Sequence, residues 1–428
     1  MRGLASSETD DRYSTNVAHG GNTHDGNALT EQQQTEQQEQ HDANTGDANT
    51  HRRKLRRRWL IAAGIVVVVL LIAVPIAIAW GASGVLLKPH HDMTTSAGTV
   101  VKVSTAANGT AEVVLQRRKS TLRVGEYGLV YPGGRAIVGD ITATTKNTVT
   151  RPLSSVSGTL SAGTKVQLDP DVWGGDPKSS LGIPYKNVDI DGQLGEMPAW
   201  QVDGAGSTWL IFVHGIDGKR QGGLRPMPTI AATGIPSLYI TYRNDVGAPK
   251  SPDGLFHLGD TEWRDLDAAV QYAKSHGAQK FILYGDSMGG SIVTQFIHRS
   301  KDADRVIGMV LDAPVLNWSG VLDNQANRLK LGLLAPLVLD FVSARANISL
   351  TSLDELDQTS AFTMPIILFQ GLSDPLVPPA ESKEFAEKTG ATYVPVPKAG
   401  HIQSWNVNPD SYDSHLASFL ASVLQPTN

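Results

Sequence analysis

The sequence predicts an α/β fold for the larger, C-terminal part of the chain: a doubly wound, mostly parallel sheet, preceded by a single transmembrane helix and a small β-rich segment. Three observations carry that prediction. After Lys186, six apolar runs (TWLIFVHG, IPSLYITY, KFILYGDS, RVIGMVLDAP, MPIILFQG and ATYVPVP) alternate with amphipathic helical segments. Upstream, an uncharged stretch from Trp59 to Leu87 directly follows the basic run RRKLRRR. Between them, Val-, Thr- and Gly-rich runs are broken by turn signals such as Pro132-Gly133-Gly134.

The sheet is read from continuity. Most of the six runs are apolar throughout rather than alternating, which suits parallel strands covered by helices on both faces. Between the second and third runs, Trp263, Leu266, Ala269, Val270 and Ala273 recur at helical spacing from Thr261 to His276. Chemistry in such sheets gathers at the carboxyl ends of the strands, so the residues that close each run are the candidate site. This domain is expected over residues 186–428. From Asn317 to about Ser352 the alternation is interrupted by apolar helical runs such as LKLGLLAPLVLDF, which predict a short helical cap.

The first fifth of the chain reads differently. From Met1 to about Thr50 it is Asn, Gln, Thr, Asp, Glu and Gly with almost no large apolar residue. Such a segment buries too little to offset the entropy of ordering it, so residues 1–58 are expected to form a disordered cytoplasmic tail ending in the basic cluster. About 20 apolar helical residues cross a bilayer core, and the stretch over 59–87 exceeds that even with Pro75 inside it. The cations before it and the lone Lys88 after it put the tail in the cytoplasm and the remainder outside. Ala77 and Ala79 leave open a cleaved signal peptide, but a lead of more than fifty residues favours an uncleaved signal anchor. Residues 96–175 are expected to be a β-rich, membrane-proximal module whose role is unreadable from sequence.

Composition narrows the function. The formal net charge of −5 over 428 residues gives no basic surface for nucleic acid, and the absence of cysteine excludes disulfides, thiolate metal sites and a cysteine nucleophile. No His-Glu-x-x-His motif, P-loop or dinucleotide glycine fingerprint stands in a strand-to-helix context, and the His90-His91 pair is too small a cluster for a metal site. No cofactor is implied.

The motif Gly285-Asp286-Ser287-Met288-Gly289-Gly290 lies directly after KFILY and before a helical pattern. Small residues on both sides allow a sharp turn that exposes the Ser287 hydroxyl, and the following helix favours negative charge there. A serine hydroxyl attacks slowly unless a base takes its proton, and the base needs an acid to hold its tautomer. Downstream, Asp374 follows MPIILFQG and His401 follows TYVPV. Asp312, closing RVIGMVLD, is a rival for the acid. His257, His276, His298 and His415 are expected to be solvated, and His214 to shape its loop. Arg243 and Asp245 are left between lining the pocket and a structural ion pair.

The stretches IFVHG, ITYRND, LGDTEWRDLDAAVQYA, GDSMGGSIV, VLDAPVLNW and AGHIQSWN resemble the α/β-hydrolase superfamily, and within it bacterial membrane-anchored members related to serine-peptidase-like and lysophospholipase-like hydrolases. The resemblance covers the chain from about Lys186 onward. It implies the α/β-hydrolase fold, the chain order Ser287, Asp374, His401 for a catalytic triad, and an oxyanion hole formed by the backbone N–H groups of Met288 and Ile216. It also implies a bacterial cell membrane, with the catalytic domain outside. The activity expected is that of a serine hydrolase cleaving an ester, of a small molecule, a lipid or a cell-envelope component, with a peptidase and a catalytically silent binding or scaffold protein as alternatives.

Overall fold

The computed structural model describes residues 31–91 and 98–425. The chain divides into two compact units, 1–73 and 74–428. Residues 1–30, part of the expected tail, lie outside the described residues, as do residues 96 and 97 at the start of the β-rich segment.

In the first unit the described chain is the greater part of helix α1 (Glu31–Leu87). Residues 33–73 are exposed on every side. The helix is long and apolar enough, by length and composition, to cross a membrane. Where the composition predicts an irregular tail, residues 31–58 continue this helix. Gln and Glu are good helix formers, and an apolar helix already nucleated downstream lets them add turns without burial.

The second unit opens on the last turns of α1, where Ala79, Ser83 and Leu87 are buried. Seven strands follow: β1 (Gly98–Thr105), β2 (Ala111–Gln116), β3 (Tyr127–Tyr131), β4 (Gly134–Val138), β5 (Ala143–Thr144), β6 (Thr148–Ser157) and β7 (Lys165–Asp169). Their order is β2-β1-β7-β3-β4-β6-β5, and a further β2–β6 pairing closes the sheet into a small barrel. All adjacent pairs are antiparallel. Val113, Leu115, Tyr127, Leu129, Val138 and Leu168 fill its interior. Arg151 is also fully buried; it donates to the carbonyls of Gly125 at 2.9 Å, Gly139 at 2.8 Å and Thr121 at 3.3 Å, and to that of Arg123.

A short helix, α2 (Pro177–Leu181), leads into an eight-stranded sheet: β8 (Lys186–Gly192), β9 (Gly195–Val202), β10 (Thr208–Val213), β11 (Ser237–Tyr239), β12 (Lys280–Asp286), β13 (Val306–Asp312), β14 (Ile366–Gly371) and β15 (Thr392–Val396). Its order is β15-β14-β13-β12-β10-β11-β9-β8. The six predicted runs are the six parallel strands, and β9 joins β11 antiparallel with β8 at the edge. The helices are α3 (Met227–Ala232), α4 (Trp263–Ser275), α5 (Met288–Arg299), α6 (Trp318–Arg328), α7 (Ala335–Ala346), α8 (Pro379–Thr389), α9 (Ser404–Val407) and α10 (Pro409–Leu424). Side chains of α4, α5 and α8 share one core layer with the sheet. Those of α3 and α10 share the layer on the other face. The insertion between β13 and β14 carries α6 and α7, at the position predicted for the cap.

Candidate active site

The strand β12 ends in a turn that only small neighbours permit. Ser287 has φ 53° and ψ −118°, a conformation costly for a residue with a side chain. A Cβ on Gly289 would lie 2.1 Å from the Val213 carbonyl oxygen, and one on Gly285 would lie 2.5 Å from that of Gly289. The turn is held by Ser287 N–H donating to the Asp312 carbonyl at 3.0 Å, and by Val315 N–H donating to the Ser287 carbonyl at 3.0 Å. The backbone strain is thus fixed by two hydrogen bonds and two close approaches.

Three side chains from three strand ends converge there. His401, on the loop after β15, has Nε2 2.8 Å from Ser287 Oγ and Nδ1 2.8 Å from Asp374 Oδ2. Asp374, on the loop after β14, is wholly buried at its side chain, while that of His401 keeps 13% of its surface exposed. The other Asp374 oxygen accepts the Leu376 N–H at 2.8 Å and the Val377 N–H at 3.1 Å. This carboxylate is held by its own loop, which leaves one oxygen aimed at the imidazole.

Asp312 is placed otherwise. Its carboxylate accepts the Tyr412 hydroxyl at 3.1 Å. Burial pushes its pKa up to about 6, opposed by the charge of Arg225. Asp286 is held well above the usual carboxylate range by burial and by the charge of Asp312. Arg225 lies among these acids, 3.6 Å from Asp286, and donates to the Ile402 carbonyl at 2.6 Å and to Asn406 Oδ1 at 3.1 Å. Burial alone would lower Arg225, but Asp286, Asp171 and Asp312 raise it. A buried cation therefore braces the residue next to His401.

Met288 opens α5, and Ile216 follows Gly215 in the loop after β10. Among the described residues neither N–H has a hydrogen-bond partner. A Cβ on Gly215 would lie 2.8 Å from Ser287 Cβ, so a side chain there would force this loop away from the serine. His214 shapes the loop: Nδ1 lies 2.8 Å from the Gly215 carbonyl oxygen, and Nε2 lies 2.9 Å from Asp245. Burial would lower the His214 pKa, but the Asp245 carboxylate, the Gly215 carbonyl and the charge of Asp171 together raise it. The choice left open for Arg243 and Asp245 falls to structure. Arg243 forms a buried pair with Asp265 at 2.8 Å, and Asp245 pairs with His214.

Two of the four histidines expected to be solvated are not. His298 Nε2 lies 2.7 Å from the buried Glu355, and His257 is 3.2 Å from Asp253 with only 12% of its side chain exposed. His298 meets a residue 57 positions away, which sequence spacing does not reveal, whereas His257 pairs within its own loop, four residues from Asp253. His276 and His415 are exposed. His91 Nε2 lies 2.8 Å from the Asn244 carbonyl oxygen.

A cavity of about 250 Å³ opens on Ser287 and His401, walled by apolar residues that include Ile216, Val315, Trp318, Val321 and Val377. Two further lining residues escape sequence reasoning. Leu86 comes from the end of α1, and Asp171 from the link that follows the barrel. The barrel also touches the histidine loop, since Asn406 Nδ2 donates to the Glu126 carbonyl at 2.7 Å and Tyr127 donates to Gln403 Oε1 at 3.1 Å. No local signal in the sequence marks these long-range contacts.

A family model described as "Serine aminopeptidase, S33" matches residues 247–355, and a domain of unknown function matches residues 99–169, the barrel. None of the curated proteins compared matches the chain. Among solved structures, an esterase of Pyrococcus furiosus is 22% identical over 58% of this chain and 96% of its own, with a TM-score of 0.46. A puromycin-hydrolyzing peptidase of Mycobacterium tuberculosis is 17% identical over 76% of this chain and 54% of its own, with a TM-score of 0.45. A thermophilic esterase of Thermogutta terrifontis is 17% identical over 56% of this chain and 100% of its own, with a TM-score of 0.41. The strand order and the serine turn after β12 are those of an α/β-hydrolase fold, and residues 247–355 within it match the serine aminopeptidase family model.

Proposed function

We propose that the chain is a membrane-anchored serine hydrolase that cleaves an ester through an acyl-serine. The observation that carries this reading is the relay from Ser287 Oγ through His401 to Asp374, with both contacts at 2.8 Å. In this scheme Ser287 Oγ attacks the carbonyl carbon while His401 Nε2 takes its proton, and Asp374 stabilises the imidazolium. The tetrahedral oxyanion is met by the N–H groups of Met288 and Ile216. Collapse breaks the ester C–O bond, and His401 gives its proton to the departing alcohol. Water, deprotonated by the same imidazole, then attacks the acyl-serine, releasing the acid and restoring Ser287.

The apolar walls of the cavity support an acyl chain as the group bound beside the serine. Anchoring is supported by the apolar length of α1, and the orientation by the cations Arg52 to Arg58 before it. The same features support a membrane with the tail inside and the catalytic domain outside, and a bacterial cell membrane is proposed from the resemblance of stretches such as GDSMGGSIV alone. Ester hydrolysis is tested with p-nitrophenyl esters set against aminoacyl nitroanilides. Turnover of the esters that Ser287→Ala abolishes is expected; Ser287-dependent turnover of the anilides alone would make the chain a peptidase, and turnover of neither would leave a scaffold.

A further inference from the structure

A second cavity, of about 980 Å³, is also lined by His401. Its remaining walls include Arg118, Lys119 and Arg123 from the barrel, Arg328 from the end of α6, and Lys398 from the loop before His401. None of the lining residues is acidic. Among the described residues none of the five cations takes part in an ion pair. Like charges gathered without counter-charges repel one another, and an anion entering among them relieves that repulsion.

The cluster is also built. The barrel segment that carries Arg118 to Arg123 is tied from inside by Arg151, which donates to the carbonyls of Thr121, Arg123 and Gly125. Lys398 holds a left-handed backbone at φ 66°, unfavourable for a residue with a side chain. Leu376 and His401 line both cavities, so the apolar chamber and the basic cleft meet at the histidine. Position decides which part of a substrate each takes. His401 delivers its proton to the leaving alcohol, so the cleft on the histidine side is where that alcohol departs.

We infer that the substrate is an ester whose alcohol carries an anionic phosphate group, bound in the basic cleft while its acyl chain occupies the apolar chamber. Arginine pairs well with phosphate because its planar fork matches two oxygens at once. This inference rests on the serine hydrolase reading above and names the substrate class for the same site.

The test uses the full chain in detergent and compares 1-butyrylglycerol 3-phosphate with 1-butyrylglycerol, two soluble esters of one acyl group. The palmitoyl pair is compared in vesicles of uncleavable ether-linked phosphatidylcholine. The phosphate-bearing member is expected to show kcat/KM at least about 10-fold higher at about 0.05 M salt, with the ratio falling toward one at about 0.5 M as screening removes the attraction. Arg123→Gln combined with Arg328→Gln and Lys398→Gln should lower the ratio by a similar factor. A preference in both pairs indicates recognition of the phosphate itself, and a preference in vesicles alone indicates a lipid headgroup. Equal or slower cleavage of the phosphate esters, with p-nitrophenyl butyrate still cleaved through Ser287, would overturn this inference and leave the hydrolase reading standing. Absence of any Ser287-dependent cleavage would overturn the hydrolase reading itself. The salt dependence is measured on the unaltered chain, so the result stands even if the triple variant fails to fold.

Discussion

The catalytic scheme requires His401 to hold one tautomer, with Nδ1 protonated toward Asp374 and Nε2 free to accept from Ser287. Asp374→Asn keeps the size of the side chain and loses the charge, and it is expected to lower kcat by about 10⁴-fold, measured on a p-nitrophenyl ester. Asp312→Asn is expected to cost far less activity, because its carboxylate takes the Tyr412 hydroxyl rather than the imidazole. Its effect should fall on stability. Asp312 has a pKa raised from 3.8 to about 6, so the folded state holds that proton more tightly than the unfolded chain. Stability contributed by the protonated form is therefore lost as pH rises from about 4 to about 6. Asp312→Asn escapes that loss, and its Tm relative to the unaltered chain should improve between those pH values. A pH-independent Tm difference would contradict the buried, proton-retaining role given to Asp312.

At the scale of elements, the site rests on turns that approach one another too closely for side chains. Gly289→Ala places a Cβ against the Val213 carbonyl, so it should distort the serine turn and cost several-fold more activity than stability. Arg225 acts as a positioning residue that holds Ile402, next to His401, and Asn406 further along the same segment. Arg225→Met removes this brace and leaves Asp286 and Asp312 uncompensated, an arrangement expected to cost about 3–5 kcal/mol in denaturant unfolding. Ser287 is legible in the sequence because everything it needs is local: an apolar strand, flanking glycines and a following helix. The strand-end positions of Asp374 and His401 are legible for the same reason. The choice between Asp374 and Asp312 is not, because both close parallel strands and only the path of the β14 loop brings one of them to Nδ1. The edge strands β8 and β9 are also less legible, since their alternating character resembles the β-rich runs before them.

For the whole molecule, sequence separates the apolar helix, the barrel and the sheet, but not the contacts among the parts of the second unit. Leu86 lines the cavity at Ser287, Leu87 is fully buried, and the Phe256 N–H donates to the Leu87 carbonyl at 2.8 Å. Arg345 stacks 4.1 Å from the centre of the Trp80 ring and donates to Ser83 Oγ at 2.7 Å. About 20 residues suffice to cross a bilayer core, a length the apolar stretch from Trp59 reaches near Ala79. The last turns of α1, with Ala79, Ser83 and Leu87 buried, belong to the second unit. Leu87→Ala is therefore expected to destabilise the folded domain by about 2–5 kcal/mol, like truncation of any buried leucine, and to lower its Tm accordingly. An unchanged Tm would mean that the helix end is only a tether. A hydropathy pattern reads the same stretch as membrane throughout, because an apolar face looks alike whether lipid or protein covers it.

The central claim is that Ser287 is an acylating nucleophile activated by His401, and mapping of a covalent adduct tests it most directly. Full-length protein treated with a fluorophosphonate and digested for mass spectrometry should carry the adduct on the peptide containing Ser287. Labelling should vanish in Ser287→Ala and slow by at least about 10³-fold in His401→Ala. An unlabelled chain, or an adduct on another serine that survives Ser287→Ala, would contradict the account.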